Sequence, residues 1–214
     1  MKGPLKALCA IALAALSAHT AGLELTLDFS GRELLLRKSR QYDFVVLEGA
    51  AMTTAVGAPA LPAVAVNVVV PQNMRVADVL CGPASTEGVE GSFLILPAQP
   101  PRPLSDIGPV PFVPPDPAIY GSAAAYPPVL ARVMGQNSMQ GYNIASLLVY
   151  PLQYSPQQGT LKFFRKLSLD LAMEPADLGY LPTGKRSEER RKAAEDDVRS
   201  VVLNPDDVSR FAPE

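Results

Sequence analysis

Tryptophan is absent from these 214 residues, histidine occurs once and cysteine twice. His19 and Cys9 both fall within residues 1–21, where Lys2 and Lys6 precede an apolar run at 7–16 and Ser17, Ala18 and Ala21 offer small-residue cleavage points. That order is the pattern of a secretory signal peptide, and it predicts a secreted or periplasmic destination for the rest of the chain. Once the segment is removed no histidine remains, which excludes a Cys/His or Ser/His nucleophilic pair. Cys81 alone cannot close an intramolecular disulfide despite the oxidising destination, so stability must come from the core. It follows Val79-Leu80, a setting that suits a small packed side chain rather than a reactive thiol. Metal sites lose their usual cysteine and histidine ligands for the same reason, and neither a metal nor a cofactor is expected.

A long hydrophobic run is missing too. The apolar part of the signal segment is shorter than the about 20 residues a membrane helix needs, and nothing later in the chain is longer, so no membrane span is expected. Positive charge is scarce: removing Lys2 and Lys6 from the 19 basic side chains leaves 17 against 21 acidic ones, a balance of −4. No basic field for nucleic acid remains. Roughly 190 mature residues can bury about 70% of their unfolded surface, enough for one domain without covalent staples.

What the chain does have is strand signals. Leu23-Glu24-Leu25-Thr26-Leu27-Asp28-Phe29 alternates cleanly, and 42–47, 64–70, 76–81 and 93–96 are β-branched or aromatic runs. Gly57-Ala58-Pro59-Ala60-Leu61-Pro62, Pro71-Gln72-Asn73 and Gly82-Pro83 punctuate them. Between 144 and 173 two further strands are expected, joined as a β-hairpin through a turn at 150–160 that contains Pro151, Pro156 and Gly159. In its second half Leu161, Phe163, Leu167, Leu169, Leu171 and Met173 share one parity, while Lys162, Lys166, Ser168 and Asp170 share the other. One strand face is therefore apolar and one wet. Many short strands with such turns predict an all-β, antiparallel β-sandwich over residues 22–174.

Two segments depart from that texture. Residues 97–128 carry 11 of the 22 prolines and should support neither a helix nor a central strand. They read as an extended arm packed on the sandwich by Phe112, Ile119, Tyr120 and Tyr126, serving either as a partner-binding surface or as a long crossover. Residues 175–214 turn charged and rich in helix formers, with a helix expected at about 187–202 that Asn204-Pro205 stops. Glu188 with Lys192 and Glu195 with Arg199 have the i, i+4 order of an exposed helix, and Ala194, Val198, Val201 and Val202 form a narrow apolar stripe. The plainest reading is a solvated linker helix outside the domain, the other a helix docked on a further domain.

Taken in order, Gly57-Ala58-Pro59-Ala60-Leu61-Pro62, Val68-Val69-Val70-Pro71, Leu96-Pro97-Ala98-Gln99-Pro100-Pro101-Arg102-Pro103, Ile119-Tyr120, Tyr126-Pro127, Gly141-Tyr142 and Val149-Tyr150-Pro151-Leu152-Gln153-Tyr154-Ser155-Pro156 resemble the N-terminal propeptide domain of gingipain-type cysteine peptidases. The resemblance covers about residues 40–173. It implies a β-sandwich that helps a caspase-like catalytic domain fold and blocks its active-site cleft until proteolysis removes it. The partner it implies is a downstream or separate cysteine peptidase catalytic domain, the catalytic His and Cys belong to that domain, and this chain is then not itself an enzyme. Such inhibitors lay an extended segment across a cleft built for peptides, and an arginine on a stiff loop suits a pocket that accepts arginine. Arg102, held between Pro101 and Pro103, and Arg132, before Gly135, are the candidate plugs. Lys185-Arg186 and Arg190-Arg191-Lys192 are candidate processing sites, because exposed polar linkers attract proteolysis.

Two rival readings remain open at the level of sequence. A standalone secreted β-sandwich could bind peptide or carbohydrate through Tyr120, Tyr126, Tyr142, Tyr150 and Tyr154. Alternatively the chain is the front of an enzyme whose remainder is missing.

Overall fold

The structure is a computed structural model that describes residues 22–101, 105, 108, 111–179, 181 and 187–213. The expected signal segment at 1–21 lies outside the described residues.

The apolar alternation of the last long strand organises the molecule. β1 (Leu23–Asp28), β6 (Met74–Val89), β9 (Leu152–Ser155) and β10 (Thr160–Pro175) form one antiparallel sheet around β10. β6 runs along one edge of β10, while β9 and then β1 share the other. β4 (Ala51–Met52), β5 (Pro62–Val70), β7 (Ala131–Met139) and β8 (Tyr142–Val149) form a second sheet in the order β4-β5-β8-β7. β2 (Leu34–Ser39) and β3 (Tyr42–Leu47) pair as a separate hairpin. Leu161, Phe163, Leu167, Leu169, Leu171 and Met173 are all buried, and they meet Val64, Val68, Val70, Ala145, Leu147 and Val149 of the second sheet in one core. This is the β-sandwich that the alternation predicts, and each such side chain removed from water contributes about 1.5–3 kcal/mol.

Several expectations need correcting. The strands expected as one hairpin over 144–173 belong to different sheets: β8 lies in the second, and the hairpin is β9 with the start of β10. The chain changes sheets at Tyr150-Pro151. Tyr150 N–H turns to the Leu130 carbonyl at 2.8 Å, and Pro151, which has no N–H to give, accepts from Phe164 at 2.8 Å. The run at 93–96 is not a strand of either sheet but bridges to Asp43 through Ile95. The proline-rich arm does hold one helical turn, α1 (Pro117–Tyr120). Asp116 caps it, and Pro117 is tolerated because the first helical position needs no N–H partner. Of the expected anchors, Tyr120 donates to the Ile95 carbonyl at 2.6 Å and Tyr126 exchanges backbone bonds with Tyr154 at 2.7 Å, whereas Phe112 is 51% exposed.

The charged tail is not solvated along its whole surface. α2 (Glu188–Arg199), capped by Ser187, buries Ala194 and Val198 against Val69, Tyr142 and Ile144 on the outer face of the second sheet. Val201, counted in the apolar stripe, is instead exposed, while Val208 and Phe211 complete this smaller core. The sheet is covered on both faces at this end, which explains why Tyr142, Asn143, Ile144 and Ala145 are all buried despite alternating direction.

Candidate functional site

Arg132 sits on β7, which among the described strands ladders with β8 and forms the edge of that sheet. Strand alternation buries Ala131 and leaves Arg132 exposed. Facing this edge across the open side of the sandwich is β6, the edge of the other sheet. The two edges are tied at one end by Gln136, whose Oε1 accepts the Val76 N–H at 3.0 Å and whose Nε2 donates to the Met74 carbonyl at 2.9 Å. Asn143, fully buried, braces the tie: its Oδ1 accepts from Gln136 at 2.9 Å, and its Nδ2 donates to Pro71 and Met74 carbonyls at 2.7 and 2.9 Å.

Beyond that tie the edges part into a groove of about 720 Å³, walled by residues 77–81 and 128–133. Leu80 (63% exposed) and Val129 (49%) flank it, and Met134 (56%) stands out where the β7 register slips between Val133 and Gly135. Burial raises the pKa of the Tyr126 hydroxyl, and the nearby Arg132 guanidinium partly offsets the rise. Cys81, on the β6 wall, has its thiol pushed up to about 11 by burial, which keeps it neutral and unreactive. Strand edges with exposed apolar flanks suit an extended polypeptide, which can pair with an edge and seat alternate side chains.

A second feature stands at the base of the proline-rich arm. Gln99 brackets Val113 through both amide atoms, and also donates to the Pro97 carbonyl at 3.0 Å. Gln99 and Val113, which flank residues 100–112, are therefore held together. Phe112, half exposed there, leans on Tyr42 with ring centres 5.6 Å apart. Arg102, which follows Gln99 in sequence, lies outside the described residues.

The remaining candidates divide. Arg190, Arg191 and Lys192 are exposed on α2, and Arg191 and Lys192 line a 310 Å³ pocket with Glu188, Glu195 and Tyr142. Lys185 and Arg186 lie outside the described residues. Gln99, Gln136 and Asn143 are not legible in the sequence as ties, because an amide that pairs with a distant backbone carries no local sequence pattern. Among the described residues no group of three or more metal-ligating side chains occurs, and no helix is long and apolar enough to cross a membrane.

Comparison with known proteins sets this geometry in context. Neither a protein-family profile nor any curated protein matches the chain. Among solved structures, it is similar to a chain of the complex of Porphyromonas gingivalis RgpB pro- and mature domains, with a TM-score of 0.61 and 17% identity over 89% of this chain and 96% of that one. It is also similar to a gingipain K structure from Porphyromonas gingivalis that concerns zymogenic latency, with a TM-score of 0.56 and 26% identity over 72% of this chain and 88% of that one. The gingipain-type resemblance carried by the proline motifs is thus matched in three dimensions.

Proposed function

We propose that this chain is the propeptide of a secreted gingipain-type cysteine peptidase precursor. Its sandwich aids folding of the catalytic domain, occludes the active-site cleft, and is removed by proteolysis. The observation that carries the reading is the fold likeness to gingipain pro-domain and zymogen structures over most of the chain. The groove between β6 and β7 supports an extended polypeptide as partner.

In this reading the chain supplies recognition and not catalysis. An inhibitory arginine works by filling a pocket shaped for arginine while the flanking backbone lies in the cleft, so its worth depends on being held in place before binding. Arg132 is held by the β7 ladder, while Arg102 lies outside the described residues. Lys185-Arg186 and Arg190-Arg191-Lys192 remain the proposed processing sites.

Calorimetric titration of residues 22–214 into a purified gingipain-type catalytic domain tests the reading. One-to-one binding at micromolar concentrations or below is expected, and no heat of binding would remove its partner. Reading the genomic DNA past codon 214 separates the rival: an open frame with caspase-like His and Cys motifs fits a precursor, whereas a stop fits a free binding module.

A further inference from the structure

The second sheet has an uncovered edge that the tail occupies. Among the described residues β4 pairs with Pro62 and Ala63 of β5, and no strand of theirs covers the rest of that edge. Val202 and Leu203 run alongside it, in a parallel bridge to Asn67 and through Leu203 N–H to the Asn67 carbonyl at 2.8 Å. Next, the buried Asn204 side chain takes the place of a strand residue: Oδ1 accepts the Val69 N–H at 3.0 Å and Nδ2 donates to the Val69 carbonyl at 2.9 Å. α2 covers the adjoining face through Ala194 and Val198.

The tail is also folded on itself. Arg199 reaches the Pro205 carbonyl at 2.8 Å, and both Arg199 and Ser209 bond the Glu195 carboxylate, at 2.8 and 2.6 Å. Gln72, in the β5–β6 turn, fastens the far end by donating to the Phe211 carbonyl at 3.1 Å. The tail thus has its own internal staples, a buried apolar stripe and an edge to pair with, and its covalent link to β10 is a separate matter.

We propose that residues 187–213 form a strap whose docking on β5 and β8 holds the sandwich after the chain is cut between Leu181 and Ser187. Cleavage there is ordinary hydrolysis: the peptide C–N bond breaks, one water is added, and a carboxylate and an ammonium remain. The two pieces then stay together through the strap. Cutting this linker does not free the sandwich from whatever follows residue 213; release requires the strap to undock. The setting rests on the propeptide reading, but the test needs no peptidase domain, so the two fail separately.

The full chain carrying a recognition sequence for a site-specific protease between Leu181 and Ser187 is cut and run on a sizing column. Both fragments of the natural sequence should co-elute at the volume of the uncut protein, and the cut Val198→Asp variant should lose its strap. Separation of the natural fragments overturns the proposal, as does co-elution of the cut Val198→Asp protein. If Val198→Asp disturbs the uncut sandwich by circular dichroism, Asn204→Ala replaces it. The cut Asn204→Ala protein should then lose its strap at a urea concentration where the cut natural protein keeps it, and equal retention overturns the proposal.

Discussion

The side-chain amide of Gln99 pairs with the backbone of Val113 as a strand would, its Nε2 donating to the carbonyl at 3.0 Å and its Oε1 accepting the N–H at 2.9 Å. Gln99→Ala should leave both Val113 groups without their partner, at a cost of about 1–2 kcal/mol in urea unfolding. Limited proteolysis should speed up within 100–112 while β10 stays protected. Unchanged cleavage there would mean that the pinch does not control the loop.

Arg132→Glu should change stability by no more than about 0.5 kcal/mol, since the side chain is exposed on an edge strand. If Arg132 is the plug, the same variant should weaken inhibition of an arginine-accepting peptidase by tenfold or more, and Arg102→Glu should not. The opposite pattern in inhibition assays assigns the plug to the loop at 100–112.

β10 supplies a test of the core. Leu169 is 1% exposed, and Leu169→Ala should cost about 3 kcal/mol, from lost transfer free energy and the cavity left behind. Lys162→Ala on the opposite parity should fall within about 0.5 kcal/mol. Denaturant midpoints of the two variants check both values.

Cys81 should alkylate slowly. With its pKa raised from 9.0 to about 11, the thiolate at neutral pH is on the order of 100-fold scarcer than for a free cysteine. Iodoacetamide should therefore modify the folded protein about 100-fold more slowly than the urea-unfolded chain, and equal rates would contradict the burial of this side chain.

Acid should loosen the fold at two places. Asp28, lowered to about 2 by Ser30 and Lys166, and Glu195, lowered by Ser209 and Arg199, both have folded pKa values below their unfolded ones. Their contribution is present above the unfolded values and is lost as pH falls through the folded ones. For Asp28 that window runs from about 3.8 down to about 2. Asp28→Asn should flatten the fall in the thermal midpoint across this range.

The parts of the fold legible in the sequence are those set by local chemistry. The parity of Leu167, Leu169 and Leu171 exposes a half-buried strand directly, and the clustered prolines mark the arm. Pro151 marks an interruption, but whether a proline bends a hairpin or sends the chain to another sheet depends on Leu130 and Phe164, which are distant in sequence or across the ladder. The docking of α2 was hidden for a similar reason. Ala194 and Val198 make a narrow stripe that suits a solvated helix, and only the second sheet's outer face, with Val69, Tyr142 and Ile144, makes it a contact. Arg132 was visible as a charged residue; the groove beside it exists only once β6 and β7 are brought edge to edge.

The most direct measurement adds purified residues 22–214 to a gingipain-type catalytic domain and follows hydrolysis of a peptide substrate. Activity should fall in proportion to the protein added and be abolished near one equivalent. Full activity at a micromolar excess would contradict the account.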